Sequence, residues 1–180
     1  MEAAPGYLKA QLSIATTLLD TGKYEEAVTA FEKSLDIDPV DVASQTGLCD
    51  ALLAWGDEAL NLDETETAIE RFQRILTHNQ SHVDARQRLA DIHRERAEEL
   101  LSAGEDDTAL SAFNQALDYT PDDEDLSHRY NQVLEEKRAK VVAGWLKKAD
   151  RALNRQRWEE AAGFVEEAIK VDPDNESLQT

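Results

Sequence analysis

The feature that most constrains this chain is a pattern of small and bulky apolar residues that occurs four times in phase. Each copy has an alanine, a bulky apolar residue four positions later, and a leucine or isoleucine after four more. The alanines are Ala27, Ala68, Ala109 and Ala161. The residues that follow them are Phe31 and Leu35, Phe72 and Leu76, Phe113 and Leu117, and Val165 and Ile169. Intervals of four place such residues on one face of a helix. The pattern therefore predicts four copies of one helix.

A second small residue stands twelve positions before each of those alanines, and a leucine follows it after four residues. These small residues are Ala15, Gly56, Ala97 and Ala149. Each copy therefore predicts two helices joined by a tight turn, with small residues that let their backbones approach closely. Proline ends the second helix in three copies, because the residue before it is driven out of the α region. Those prolines are Pro39, Pro121 and Pro173, and Gln80 takes the place in the second copy.

The first and last copies carry the most characteristic sequence. The stretch Gly22-Lys23-Tyr24-Glu25-Glu26-Ala27 leads to Phe31 and Pro39, and Trp158-Glu159-Glu160-Ala161 leads to Ala168 and Pro173. These stretches resemble the tetratricopeptide repeat. The resemblance implies a single all-α domain over 1–180, a right-handed α-solenoid of four antiparallel helix hairpins with repeats at about 7–40, 41–81, 82–122 and 123–175. Residues 175–178 resemble the start of another first helix, as expected if the chain is a fragment of a longer protein.

The copies are longer than the family repeat. The four alanines are 41, 41 and 52 residues apart, whereas a tetratricopeptide repeat has about 34 residues. The extra residues precede the small residue of copies two to four and amount to about two, two and five helical turns. We therefore predict lengthened first helices in these copies. In the fourth, Glu124–Asn154 fits one long helix or two helices broken at Gly144, and the unbroken helix is the prediction.

The resemblance also implies a binding surface, because first helices in this family line a concave groove for an extended peptide or a helix. The corresponding positions are Lys9, Ser13, Thr16, Asp50, Leu53, Asp57, Asp91, Arg94, Glu95, Glu98, Lys147 and Asp150. The expected function is a non-enzymatic adaptor for a protein partner. One branch of the family grips chaperone C-termini with a Lys and Asn clamp. Its positions here are Leu12, Thr16 and Ala54, so no such binding is expected.

Charge is distributed unevenly along the chain. The net charge of −19 opposes binding to nucleic acid and to anionic membranes. Residues 137–157 are the opposite, with one acidic residue, Asp150, and a net charge of +7. The basic residues are Lys137, Arg138, Lys140, Lys147, Lys148, Arg151, Arg155 and Arg157. This helix either neutralises acidic neighbours such as Glu98, Glu99, Asp106 and Asp107 or binds an acidic partner. In the second case the chain could be a structural or self-association module that forms a homo-oligomer.

Residue types that carry catalysis are scattered. The sequence has four separate histidines, no Gly-rich phosphate loop and no HExxH motif, so no catalytic residue, cofactor or metal is predicted. His78 and His82 are four apart but span a predicted loop. The lone Cys49 is interpreted as a small buried hydrophobic residue. Without a disulfide framework, a secretory signal or a long apolar run, the chain is predicted to be cytoplasmic.

Overall fold

A computed structural model describes residues 5–175, which form eight α-helices and, within that range, no strand. The helices are α1 Pro5–Asp20, α2 Tyr24–Ile37, α3 Val42–Asn61, α4 Thr65–His78, α5 Val83–Ser102, α6 Asp106–Tyr119, α7 Glu124–Asn154 and α8 Trp158–Val171. Consecutive pairs form the four predicted hairpins. The prediction of an all-α helical repeat solenoid is therefore confirmed. The predicted start of a further helix lies mostly outside the described residues.

The first helices are lengthened as predicted. The second helices α2, α4, α6 and α8 each have 14 residues, whereas α3 and α5 have 20 and α7 has 31. The long helix α7 runs unbroken through Gly144, which confirms the prediction of one helix. An insertion of whole turns keeps the apolar face of a helix in register, so the packing pattern survives the added length.

The tight turn inside each hairpin has one residue in the left-handed region. Gly22 and Gly104 take this position in the first and third hairpins, with φ of 74° and 80°. Asp63 and Gln156 take it in the second and fourth, with φ of 60° and 59°. Such a residue ends a helix sharply and is most easily a glycine. The turn is therefore the same in all four hairpins, although only two of them have the favoured residue.

Residues 5–95 and 118–120 form one compact unit, in which α2 packs between α1 and α3. Its core contains the buried rings of Phe31 and Phe72. The Phe31 ring lies against Gly47, where an added Cβ would be 2.2 Å from a ring carbon. The Phe72 ring lies against Gly56 in the same manner, at 2.4 Å. The small residue predicted at Gly56 therefore makes room for an aromatic ring of its own hairpin.

Residues 96–117 and 121–175 form a second compact unit. In α6, Phe113 is fully buried. In α8, by contrast, the buried residues are Ala161 and Ala168, and Val165 is only partly buried. The core of this unit therefore thins toward α8. Among the helices of the described chain, none combines the length and apolar character that crossing a membrane requires.

Candidate functional site

The predicted groove residues fall largely on three neighbouring first helices of the unit formed by residues 5–95 and 118–120. Helix α1 contacts α3 directly. Helix α3 is linked to α5 by Asp57 and Arg88, whose Nε–Oδ1 and Nη2–Oδ2 distances are 2.7 and 3.2 Å. These helices carry Lys9, Ser13, Thr16, Asp50, Leu53, Asp57, Asp91, Arg94 and Glu95. The surface that they form is called the first-helix face below. The other predicted residues, Glu98, Lys147 and Asp150, belong to the second unit.

Internal ion pairs occupy part of the first-helix face. Asp57 holds Arg88 in a bidentate pair, and this hydrogen bonding raises the pKa of Arg88. Asp91 lies 2.9 Å from Arg94, one turn along the same helix. Lys9, Asp50 and Glu95, in contrast, are exposed and form no ion pair with any residue between 5 and 175. They are therefore the charged groups of this face without an ion pair inside the described chain.

The link between successive first helices recurs in the second unit. Arg129 of α7 donates two hydrogen bonds to Glu98 of α5, at 2.7 and 2.8 Å, and this raises the pKa of Arg129. In both links the arginine follows the acidic residue by 31 positions, and the second link lies 41 positions after the first. Sequence reasoning missed both arginines, although their recurrence at the repeat spacing was a usable signal.

The first half of the predicted basic helix, residues 137–140 of α7, is neutralised by nearby carboxylates. Lys137 forms an ion pair with Asp107, and Lys140 lies 2.7 Å from Asp106. Arg138 pairs with Glu135, one turn earlier in α7. The prediction that this helix neutralises acidic neighbours is confirmed for Asp106 and Asp107. Glu98 is also neutralised by this helix, through Arg129, which lies in α7 before the basic segment. Glu99 forms no ion pair with a described residue.

The second half of the basic helix surrounds an open pocket at the turn of the α7–α8 hairpin. This pocket has a volume of about 160 Å³, and we call it the tip pocket. Its lining residues are Lys148, Arg151, Ala152, Arg155, Arg157, Glu160 and Phe164. Arg157 lies 3.2 Å from Glu160. The Nζ of Lys148 lies 3.8 Å from the ring centroid of Trp145, which in turn stacks on Phe164 at 6.0 Å. Sequence reasoning found the cations but not the aromatic pair that supports them.

The histidines predicted to span a loop do so, since α4 ends at His78 and α5 begins after His82. The Nδ1 of His82 accepts a hydrogen bond from the backbone N–H of Ala85 at 3.3 Å, so this side chain caps the first turn of α5. Cys49 lies beside both histidines in a pocket of about 320 Å³. Burial raises the pKa of the Cys49 thiol, which makes it a poor nucleophile and a poor metal ligand. Among the described residues, no cluster of three or more metal-binding side chains occurs.

Comparison with known families gives two sequence matches. Profiles of the tetratricopeptide repeat match residues 8–41 and residues 53–124, together more than half of the chain. The matched residues run from α1 to the first residue of α7, so the rest of the α7–α8 hairpin lies outside both matches. No curated protein sequence matches this chain.

Several solved structures are similar to this chain at low identity. TTC0263, a thermophilic TPR protein of Thermus thermophilus, is 20% identical with a TM-score of 0.31, over 96% of this chain and 95% of that one. YrrB, a TPR protein with an unusual peptide-binding site, is 16% identical with a TM-score of 0.29, over 94% and 88%. The first TPR of Spaghetti (RPAP3), bound to an HSP90 peptide, is 15% identical with a TM-score of 0.30, over 76% and 97%. The family of this chain is identified from the two profile matches and not from these structures. On those matches, the chain belongs to the tetratricopeptide repeat family.

Proposed function

We propose that this chain is a non-enzymatic scaffold that binds an extended peptide or a helix of a partner protein on its first-helix face. Tetratricopeptide repeats are typically protein-interaction modules, and this gives the class of function. The observation that supports the position of the site is the side-by-side arrangement of α1, α3 and the first part of α5. These helices present exposed charged groups that no described residue neutralises.

The charges of the first-helix face indicate what kind of peptide it would bind. Asp50 on α3 and Glu95 on α5 are exposed and unpaired, and Lys9 lies on α1. Leu53 of α3, which is partly buried, adds an apolar side chain to this face. A peptide with Lys or Arg residues opposite α3 and α5 would complement this pattern, because opposite charges across an interface set orientation and specificity. A fixed Asp57–Arg88 pair beside them keeps the two helices in register.

We include in this proposal no catalytic residue, cofactor or nucleic-acid ligand, and we retain the predicted cytoplasmic location. A net charge of −19 repels nucleic acid at a distance. The clamp positions Leu12, Thr16 and Ala54 offer no cation or amide to a C-terminal carboxylate. We therefore expect no micromolar binding to a chaperone C-terminal peptide, and a competition experiment that found such binding would contradict this point.

The test of the first-helix face begins with an affinity pull-down on the full chain and identification of the captured protein by mass spectrometry. Binding of that protein is then measured with a variant carrying Asp50→Lys and Glu95→Lys. The matched control carries Asp36→Lys and Glu66→Lys, which make the same change in net charge on α2 and α4. We expect the first variant to bind roughly tenfold more weakly or worse and the control to bind as the wild type. Equal affinity in all three proteins would remove this face from consideration.

A second candidate function is self-association through the α7–α8 hairpin. Trp158 is 65% exposed and Leu153 is 42% exposed, an uncommon amount of apolar surface at one hairpin turn. If a second copy covers these side chains, light scattering will show a dimer whose population rises with concentration. Trp158→Ser should then shift the chain to monomer, whereas a strict monomer at all concentrations supports the adaptor function alone.

A further inference from the structure

We propose that the tip pocket binds an acidic peptide segment of a partner protein, with carboxylates of Asp or Glu residues between its arginines. This site lies within the second unit and does not depend on the first-helix face. Its lining comes from one face of α7, from the turn and from α8.

Around the tip pocket, positive charge remains without a carboxylate partner. Lys148, Arg151 and Arg155 form no ion pair with any residue in the described part of the chain. The cations in the first half of the basic helix, in contrast, are each paired with a carboxylate. The positive charge is therefore balanced where α7 contacts α6 and is left free around the pocket.

Helix stabilisation accounts for only part of this free positive charge. Basic side chains in the last turn of a helix interact favourably with its dipole, but the effect fades beyond that turn. Helices α1, α3 and α5 end with no basic residue in the last turn, so first helices in this protein terminate well without one. Arg151 lies in the last turn of α7 and Arg155 caps it, so both interact favourably with the helix dipole. Lys148 lies before that turn, and Arg157 lies after the end of the helix. The helix dipole therefore accounts in part for Arg151 and Arg155, but not for Lys148 and Arg157, which add charge to the same pocket.

The tip pocket is accessible to a partner because of its place on α7. The ion pair between Lys140 and Asp106 places the start of α6 beside the middle of α7. The part of α7 after Lys140, about four turns or roughly 20 Å long, therefore extends past the α5–α6 turn, and α8 packs along it. The groove in the same register of the first hairpin contains Ile14, Leu18 and Ala30. In the fourth hairpin the corresponding residues are Lys148, Ala152 and Phe164. The groove of the fourth hairpin is lined by four cations, whereas that of the first is lined by one, Lys33.

The side chains that line the tip pocket suit a carboxylate better than other anions. Arginine presents a planar fork that matches a carboxylate, and it loses less hydration than lysine on binding. Phe164 offers an apolar wall to the methylene groups of a glutamate, while the stacked Trp145 holds Lys148 in place. Glu160 also lines the pocket and repels a doubly charged phosphate more than a singly charged carboxylate. The pocket, with a volume of about 160 Å³, has room for such a side chain.

The test uses the full chain and a fluorescein-labelled peptide of six glutamates, with binding followed by fluorescence anisotropy. The pocket variant carries Arg151→Glu and Arg155→Glu. The control carries Arg138→Glu and Lys147→Glu, which lie on the same helix outside the pocket and make the same change in net charge. We expect the pocket variant to bind at least tenfold more weakly than wild type and the control to stay within about threefold. A six-glutamine peptide should show no saturable binding.

Circular dichroism of each variant, and the milder Arg151→Gln and Arg155→Gln changes, separate loss of the pocket from loss of the fold. Equal weakening in the pocket variant and the control would mean that the peptide senses only net charge, and this would overturn the pocket. Tighter binding of a phosphopeptide or an RNA oligonucleotide than of the glutamate peptide would overturn the choice of occupant. A dimer that the pocket variant abolishes would replace the peptide by a second copy. The variant carrying Asp50→Lys and Glu95→Lys should bind this peptide as wild type does, so failure of the first-helix face leaves the result intact.

Discussion

The second and fourth hairpins share one sequence pattern, yet they pack differently. In α3–α4, Phe72 and Ile75 are 0% exposed, and Gly56 provides room for the Phe72 ring. In α7–α8, the residues in the same register are Val165, Ala168 and Ala149. Compared with α3–α4, the second helix has the smaller Val165 in place of a phenylalanine, and the first helix has the larger Ala149 in place of a glycine. The α7–α8 hairpin therefore buries less apolar surface between its two helices. The shared register thus specifies the hairpin, while the identity of the residues decides how tightly it packs.

The difference between the hairpins has a physical consequence. The α3–α4 hairpin is packed against α2, whereas the end of the α7–α8 hairpin extends past the α5–α6 turn and keeps Trp158 largely exposed. A region with few buried apolar contacts opens at lower free energy than the core of the same protein. Binding surfaces are often found in such regions, because residues chosen for a ligand are not also needed for packing.

The largest expected change in stability comes from removing a buried ring from the core of the α3–α4 hairpin. Phe72→Ala should lower the free energy of unfolding by about 3–5 kcal/mol, because it removes a fully buried ring and leaves a cavity. Val165→Ala, at the same register of α8, should cost roughly 1 kcal/mol, because this side chain is only partly buried. Urea denaturation followed by circular dichroism measures both. Equal losses would mean that the two hairpins are packed equally well.

The next effect distinguishes glycines that make space from glycines that do not. A Cβ on Gly56 would lie 2.4 Å from the Phe72 ring, so Gly56→Ala should destabilise the protein by about 1–3 kcal/mol through overpacking. A Cβ on Gly144 would meet nothing within 4 Å. Gly144→Ala should therefore stabilise the protein by up to about 1 kcal/mol, since alanine is the better helix former. Thermal unfolding of both variants tests the pair, and a loss at Gly144 would indicate that α7 is not a regular helix there.

These two glycines also show how far sequence reasoning extends. The small residue at Gly56, the helix ends near proline and the added whole turns of α7 follow from local spacing, and the structure confirms them. The contact between Phe31 and Gly47 joins two hairpins, and periodicity along one helix contains no information about which residue of a neighbour it meets. Arg88 and Arg129 differ from this case, because their recurrence at the repeat spacing is a signal that the sequence does contain. The support of Lys148 by Trp145 and Phe164 depends on how α8 packs against the lengthened helix, which no repeat consensus describes.

A smaller effect separates cations that hold helices together from cations that are free. Glu98 and Arg129 are each about a third to a half exposed, so their coupling energy in a double-mutant cycle of Glu98→Gln and Arg129→Met should be about 0.2–1 kcal/mol. It should fall as salt is added. Arg155→Gln in the tip pocket should lower stability by less than about 1 kcal/mol, because it removes no ion pair and only a charge at the C-terminus of α7. A larger loss at Arg155 would mean that this cation stabilises the hairpin and is not kept free for a ligand.

The smallest expected effect is a dependence on pH at the start of α3. Asp41 caps this helix by accepting a hydrogen bond from the Ser44 backbone N–H at 2.7 Å, and the nearby Ser44 hydroxyl together with this N–H lowers the pKa of Asp41 below its usual value. A carboxyl with a lowered pKa in the folded state contributes stability above its unfolded pKa of about 3.9. That contribution is lost as the pH falls through the lowered value, because the protonated acid accepts this hydrogen bond poorly.

The matched variant for this prediction is Asp41→Asn, because asparagine also caps helices but does not titrate. The stability advantage of wild type over this variant, measured by urea denaturation between about pH 6 and pH 2, should be constant above pH 5 and shrink below pH 4. Both proteins contain the other 37 acidic residues of the chain, so their general acid destabilisation cancels in the difference. A difference that does not change with pH would show that the cap acts through its shape alone. The stability of the start of the α3–α4 hairpin would then not depend on charge. The tip of the α7–α8 hairpin differs in this respect, because four cations line its pocket.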